Sequence, residues 1–180
     1  MKKYLLYLLL TTSIVGCGTS KLDSKEIEEL QSLLETKSFE FKADRVNPMA
    51  TQSLNAISNS GLLPPGSNAG SIQLNGGNNF LKIMGDSVSA NLPYYGERRF
   101  GGGYGSDAGI EFNGIPTHYS QIYNKDRKRY DITMQLDQKM ESYNLNLSIF
   151  PNKIANLTIS SNQRNTIRYS GNVLSIKVSD

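Results

Sequence analysis

The sequence contains few of the residue types that most often carry chemistry in proteins. Its 180 residues include one cysteine, Cys17, one histidine, His118, and no tryptophan. A single thiol excludes an internal disulfide, so the stability of the fold has to come from an apolar core. A zinc site built from histidine and cysteine is excluded as well, because such a site needs at least three ligands.

Because cysteine and histidine are so scarce, the sequence gives little support for catalysis. A serine hydrolase triad would depend entirely on His118, and the sequence lacks the Gly-x-Ser-x-Gly motif that surrounds many such nucleophiles. No segment has the carboxylate spacing of an EF-hand calcium loop. We therefore expect a protein that is not an enzyme and that uses neither a cofactor nor a metal ion.

Charge of one sign and long apolar runs are also scarce. Basic residues number 19 and acidic residues 16, which gives a formal net charge of +3. The longest apolar stretch, residues 4–15, has about 12 residues, whereas a membrane-spanning helix needs roughly 20. We expect no nucleic-acid partner and no membrane-spanning helix.

The amino terminus has the three parts of a lipoprotein leader. Lys2 and Lys3 precede the apolar stretch, which ends in Ile14-Val15-Gly16-Cys17, with the small Gly16 directly before the cysteine. This order predicts a signal peptide over residues 1–16 and lipidation of the Cys17 thiol. Acyl chains contribute about 0.8 kcal/mol per buried CH₂, so two or three chains hold a protein firmly at a membrane.

The residues after Cys17 indicate where the anchored protein resides. Gly18 occupies the position where an aspartate would retain a lipoprotein in the inner membrane, and no acidic run follows the cysteine. We therefore expect an outer-membrane lipoprotein, with its periplasmic face favoured over the cell surface. Its first partner is then the membrane itself, contacted through the lipid anchor.

Removal of the leader changes the charge and sets the domain boundaries. Taking 16 residues from 180 leaves 164, and the loss of two lysines leaves 17 basic residues against 16 acidic ones. A nearly neutral chain of this length suits one domain. We predict a lipidated tether over residues 17–22, a helix over 23–37 and a single β domain over 38–180.

The helix prediction depends on a capping pattern and an apolar stripe. Asp23 and Glu26 have the spacing of a capping box, which satisfies backbone N–H groups at a helix start. Ile27, Leu30 and Leu34 fall on one face at helical spacing. Together they predict a helix over residues 24–36.

From Ser38 onward the apolar period changes to two, which is typical of half-buried antiparallel strands. Five segments carry this alternation. Their predicted inward-facing residues are Phe39, Phe41 and Ala43; Tyr130, Ile132, Met134 and Leu136; Tyr143, Leu145, Leu147 and Ile149; Ala155, Leu157 and Ile159; and Leu174, Ile176 and Val178.

Short connections separate the predicted strands and imply sequential hairpins. They are Gly85-Asp86, residues 125–128, residues 138–140, Pro151-Asn152 and Ser170-Gly171-Asn172. We predict an all-β fold, an antiparallel meander of nine or ten strands that forms a curled sheet or a small barrel or sandwich. Two segments depart from the pattern: residues 59–79 are predicted to be a long irregular loop, and residues 117–123 have no clearly apolar face.

The segment over residues 93–109 is the richest in groups that bind ligands. Its glycines give backbone freedom, its aromatic rings offer flat faces, and its two arginines offer forked donors for carboxylate or phosphate. The alternative interpretation is a long hairpin connection whose rings fold back onto the sheet. The candidate binding residues are Tyr94, Tyr95, Arg98, Arg99, Phe100 and Tyr104.

Several strand and turn motifs resemble an uncharacterised lipoprotein family of Bacteroidota that is catalogued as a domain of unknown function. The resemblance covers residues 39–178 and implies a secreted all-β body, with no assigned activity. Asp86-Ser87-Val88 also resembles an O-glycosylation site of such bacteria, and whether Ser87 is modified stays open. The motifs are Phe39-x-Phe41-x-Ala43 followed by Pro48-Met49, Ile83-x-Gly85-Asp86-Ser87-Val88-x-Ala90-x-Leu92-Pro93-Tyr94, Gly109-Ile110-x-Phe112-x-Gly114 and Ile167-x-Tyr169-x-Gly171.

These observations favour a non-catalytic envelope protein that binds an envelope glycan or a protein partner through residues 94–109. The alternative is a structural or inhibitor-like β module that acts through one face of its sheet. An exposed aromatic patch around Tyr94 and Tyr104 would favour the first hypothesis, and a wide polar sheet face the second. A buried pair of His118 and a carboxylate in a cleft would instead indicate an enzyme.

Overall fold

Antiparallel strands make up most of the computed structural model, which describes residues 24–99, 109–138 and 141–176. These residues form helix α1 (Ser24–Glu35), helix α2 (Gln52–Asn59) and ten strands. The strands are β1 (Ser38–Asn47), β2 (Ile72–Gln73), β3 (Phe80–Met84), β4 (Ser87–Pro93), β5 (Gly109–Gly114), β6 (His118–Asn124), β7 (Arg129–Gln138), β8 (Glu141–Ile149), β9 (Ile154–Ser161) and β10 (Ile167–Ser175). The predicted all-β class with one short helix near the amino terminus is confirmed.

One sheet contains all of these strands. Its order is β5-β4-β3-β1-β10-β9-β8-β7-β6, and the short β2 pairs separately with β1. The two runs β3–β5 and β6–β10 are meanders, as the short connections predicted. Strand β1 lies between them, because Phe39 pairs with Ile83 of β3 on one side and with Ser175 of β10 on the other.

The sheet curls into a half-barrel because of one short connection. Strands β5 and β6 are at opposite ends of the strand order, yet only residues 115–117 join them. Nine strands laid flat at about 4.8 Å spacing would separate these edges by about 38 Å. Three residues span at most about 14 Å, so the two edges have to approach each other.

The core lies on the inner face of this curl and follows the predicted alternation. Phe39 and Phe41 of β1, Leu145 and Leu147 of β8, and Ile132 of β7 are each at most 1% exposed. Helix α1 packs on the same core through Leu30 and Leu34, which are also buried. Its predicted cap Asp23 lies outside the described residues, as do the leader and the tether.

The predicted irregular loop and the segment before it contain regular structure. Helix α2 was not predicted; it begins after Thr51, whose Oγ1 accepts a hydrogen bond from the Leu54 backbone N–H at 3.2 Å. The prediction of a structureless stretch over residues 59–79 was wrong at Ile72, which is fully buried in β2 and pairs with Val46. The ambiguous segment around Tyr119 forms the edge strand β6, whose residues are exposed or half-buried.

The prediction of a turn at Ser170-Gly171-Asn172 was wrong. Strand β10 runs through Gly171 without interruption and buries Tyr169 and Val173. Because side chains alternate between the two faces of a strand, Leu174 lies on the face opposite to Val173 and is 51% exposed. Its predicted inward orientation was therefore also wrong. The glycine is explained by a close approach, because an added Cβ would collide with the backbone carbonyl oxygen of Lys42 on β1.

Candidate functional site

The first stem of the predicted binding segment is attached to the turn that joins β9 and β10. The backbone N–H of Arg99 donates to the Gln163 carbonyl oxygen at 2.7 Å, and that of Asn165 donates to the Glu97 carbonyl oxygen at 3.2 Å. The Tyr94 hydroxyl lies 3.0 Å from the carbonyl oxygens of Glu97 and Asn165, and these two acceptors share its single proton. Residues 94–99 are therefore held against the sheet end.

A buried ion pair lies directly beneath this attachment. Arg164 Nε donates to Glu141 Oε1 at 2.9 Å, and the side chains of Arg164 and Glu141 are 4% and 10% exposed. The Ser161 hydroxyl donates to the same carboxylate oxygen at 2.7 Å. The guanidinium carbon of Arg164 lies 5.1 Å from the centre of the Tyr94 ring, a cation–π contact.

The same arginine also holds the second stem of the segment. Arg164 Nη1 donates to the carbonyl oxygen of Gly109 at 2.6 Å, and Gly109 is the first residue of β5. Both ends of the stretch 100–108 are thus attached to the turn that joins β9 and β10, the first through Gln163 and Asn165 and the second through Arg164. We refer to Tyr94, Glu141, Tyr143, Arg164 and Tyr169 as the loop base.

In the loop base, Glu141 and Arg164 are charged, and the tyrosine hydroxyls around them are neutral. Burial acts to raise the pKa of Glu141, but hydrogen bonds from Ser161, Tyr143 and Arg164 outweigh it, so this pKa lies below its ordinary value. Burial and the hydrogen bond to Glu141 raise the pKa of Tyr143 to about 12. Burial likewise raises the pKa of Tyr169, whose hydroxyl donates to the Pro93 carbonyl oxygen at 2.8 Å.

The predicted site residues are partly used to build this end of the sheet. Tyr94 and Tyr95 are half-buried and pack against the core. Arg99 Nε donates to Asn165 Oδ1 at 3.1 Å, and Arg98 forms a β-bridge with Arg164. Cys17, Phe100 and Tyr104 lie outside the described residues, as does most of the glycine-rich stretch.

Sequence reasoning missed the two central residues of the loop base. Glu141 and Arg164 are 23 positions apart, and neither belongs to a motif. The one available signal was an acidic residue at the start of the strongly alternating strand β8, where it is 9% exposed. A charge is rarely buried without a partner, so Glu141 requires one. That this partner is Arg164 becomes visible only in the folded structure, where β8 lies beside the β9–β10 turn.

The remaining candidates are distributed over other parts of the molecule. His118 is exposed at the start of the edge strand β6. Ser87 begins β4, and its hydroxyl lies 3.5 Å from Asn113 Oδ1. Across the described ranges 24–99, 109–138 and 141–176, no three His, Cys, Asp or Glu side chains are grouped so that they could hold a metal ion. In the same ranges no helix combines the length and apolarity that a membrane span needs.

Comparison with known protein families shows which domain family this chain belongs to. A family described as a domain of unknown function (DUF4251) matches residues 21–173. This match covers most of the chain, and the chain belongs to that family. The resemblance drawn from the strand and turn motifs is therefore confirmed as membership in a domain family without assigned function. No curated protein matches the sequence significantly.

Proposed function

We propose that this member of the DUF4251 family is a lipid-anchored protein of the cell envelope, held at the periplasmic face of the outer membrane. It catalyses no reaction and binds an envelope glycan or a protein partner through the segment between Tyr94 and Gly109. The observation that carries the binding proposal is the attachment of both ends of this segment to Arg164 and its neighbours.

The attachment supports binding because it lowers the entropic cost of presenting a loop. A loop whose ends are free has to be ordered when its ligand binds, and that cost reduces affinity. Here Arg99 and Gly109 are already held by hydrogen bonds, so the positions of both stems are fixed before a ligand arrives. A rigid base under a variable segment is also the usual arrangement of binding loops on β scaffolds.

The anchor is supported by the short distance along the chain between Cys17 and the folded body. Six residues, 18–23, separate the cysteine from Ser24, the first residue of α1. The seven steps from Cys17 to Ser24 reach at most roughly 25 Å, so lipidated Cys17 would keep the sheet close to the membrane surface.

The anchor is tested by replacing the cysteine. Cys17→Ser should abolish labelling by a palmitate analogue and leave the full-length precursor, because the thiol is the acylated group. Ser13→Ala, in the same leader, should be labelled like the wild type. Equal labelling of the wild type and Cys17→Ser would refute the lipid anchor, and protease digestion of intact cells distinguishes the periplasmic face from the cell surface.

The loop is tested by a replacement that leaves its stems in place. Exchanging residues 101–107 for Asn-Gly keeps Arg99 and Gly109, and should leave the Tm within about 2 °C of the wild type because the loop base is untouched. Binding to isolated peptidoglycan sacculi or to a detergent extract of the envelope should be lost. Asp126→Asn, which also removes one acidic residue, lies in the turn before β7 at the opposite end of the sheet and should bind normally.

The alternative is a structural or inhibitor-like module that acts through one sheet face. The outer face of β7–β10 favours it, because short polar side chains such as Asn146 and Thr158 cover that face. Binding to the envelope extract that survives the loop replacement would support this alternative over the loop.

A further inference from the structure

The outer face of the sheet contains an open trough of about 570 Å³ that crosses five neighbouring strands. The strands are β1, β10, β9, β8 and β7, which span about 19 Å at the usual spacing. The floor consists of short uncharged side chains, among them Asn146 and Ser148 of β8 and Asn156 and Thr158 of β9.

Two arginines line the trough, and no carboxylate does. Arg168 of β10 is exposed, and its guanidinium makes no ion pair with any residue in the described part of the chain. Arg129 lies at the start of β7, three strands away in the sheet order. A solvated sheet face usually mixes charges of both signs, whereas here the nearby Asp131 carboxylate is engaged by Arg129 and Ser148, and Arg168 is left beside a floor of amides and hydroxyls.

Arg129 is already paired with a carboxylate of its own strand. Its Nε lies 2.9 Å from Asp131 Oδ1 but is not aligned for a hydrogen bond. Among the side-chain nitrogens and oxygens of the described residues, it is the buried atom that lacks a hydrogen-bond partner. Asp131 is engaged elsewhere, since it accepts a hydrogen bond from the Ser148 hydroxyl at 2.7 Å. The Arg129 Nε is thus buried beside the Asp131 carboxylate, which leaves Arg168 as the cation of the trough that has no acidic partner in the described part of the chain.

We infer that this trough binds an acidic saccharide, with its carboxylate on Arg168 and its hydroxyl groups on the floor. Guanidinium groups bind carboxylates through paired N–H donors. Amide and hydroxyl side chains both donate and accept, as the hydroxyls of a sugar require. The inference goes beyond the proposed function, because the trough is a different surface and stands whether or not the loop binds.

The test titrates the full-length chain with tetragalacturonate at low ionic strength by calorimetry, in a polyoxyethylene detergent that carries no sugar. Arg168→Gln should weaken binding about tenfold or more, because a charge-assisted contact is lost. Lys42→Gln is the matched control: it removes one exposed cation from β1 outside the trough and should change affinity less than twofold.

A second pair of variants tests the floor without removing a cation. Asn146→Asp introduces a carboxylate beneath the ligand and should weaken binding about tenfold by repulsion. Asn144→Asp makes the same change two residues away on the same strand and outside the trough, and should change affinity less than twofold. The Tm of each variant shows that it is folded.

Four results would overturn the inference. They are the absence of saturable binding at millimolar tetragalacturonate, unchanged affinity in Arg168→Gln, equal affinity for neutral maltotetraose, and equally tight binding of tripolyphosphate, which would indicate a general anion site. Binding that is retained when residues 101–107 are replaced supports the trough and separates it from the loop. Loss of tetragalacturonate binding in that folded loop variant would place the ligand elsewhere and overturn the inference.

Discussion

At the scale of single residues, the ion pair of Glu141 and Arg164 has the largest consequences. A charge at 4% exposure is tolerated only with partners, and Arg164 uses its donors on the Glu141 carboxylate and the Gly109 carbonyl oxygen. Such a pair adds little stability compared with apolar residues of the same size, but removing one member leaves the other charge uncompensated.

We therefore expect Glu141→Gln to destabilise the fold by about 3 kcal/mol or more. The matched control is Glu29→Gln, which removes the exposed partner of Lys153 at 4.0 Å and should cost less than about 1 kcal/mol. Urea unfolding monitored by far-UV circular dichroism measures both. Equal losses of unfolding free energy in the two variants would show that the buried ion pair contributes no more to stability than the exposed one.

The same carboxylate predicts how the stability depends on pH. The pKa of Glu141 is lower in the folded protein than its ordinary value of 4.5, so the unfolded chain takes up the proton first as the pH falls. The stabilisation is therefore complete above about pH 5.5 and decreases as the pH falls below 4.5. The difference in unfolding free energy between the wild type and Glu141→Gln should shrink over that range. A difference that stays constant down to pH 3 would contradict this assignment.

Gly171 provides a second residue-scale prediction. A Cβ at this position would meet the carbonyl oxygen of Lys42, and a backbone atom of a central strand has little room to move. Gly171→Ala should therefore cost about 1–3 kcal/mol, as overpacking does. Gly114→Ala is the control, because a Cβ there meets nothing within 4 Å, and the unfolding free energy should change by less than about 0.5 kcal/mol.

At the scale of elements, β8 shows how one strand separates core from solvent. Leu147 is fully buried, whereas the adjacent Asn146 is exposed on the opposite face. Leu147→Asp should destabilise the protein by at least about 3 kcal/mol, because it places an unpaired charge in the core. Asn146→Asp should leave the unfolding free energy nearly unchanged. Similar losses in thermal unfolding for both would contradict the observed burial.

The elements that sequence reasoning missed have weak local signals. Helix α2 has only eight residues, of which two are serines and two are asparagines, and it buries only Leu54. Such residues have low helix propensity, so the helix depends on its Thr51 cap and on packing. Strand β6 is an edge strand, which buries each face only partly, and therefore its residues do not separate into apolar and polar sets.

At the scale of the whole molecule, the amino-terminal strand β1 joins the two meanders. It contacts β3 on one side and β10 on the other, so neither meander has a complete neighbour without it. We expect one cooperative unfolding transition, with far-UV circular dichroism and tyrosine fluorescence giving the same midpoint in urea. Two separated midpoints would show that β3–β5 and β6–β10 unfold independently.

Much of this architecture follows from sequence and some of it does not. The alternation of apolar residues predicted the buried faces of β1, β7, β8 and β9, because the side-chain period of two is a local property of an extended chain. The turn at Gly171 was a wrong prediction, because a glycine required by a neighbouring strand has the same appearance in sequence as a glycine required by a turn.

The sequence by itself determined the fold class, helix α1 and most strand faces, since each depends on residues close together in the chain. For the same reason it predicts lipidation at Cys17. Only the tertiary structure decided that β1 lies between two meanders, that Glu141 pairs with Arg164, and that Arg129 and Arg168 line one trough. These arrangements join residues that are far apart in the chain, and strand order and curl bring them together. Burial and charge determine the energies of those contacts, and a local pattern of residues does not predict them.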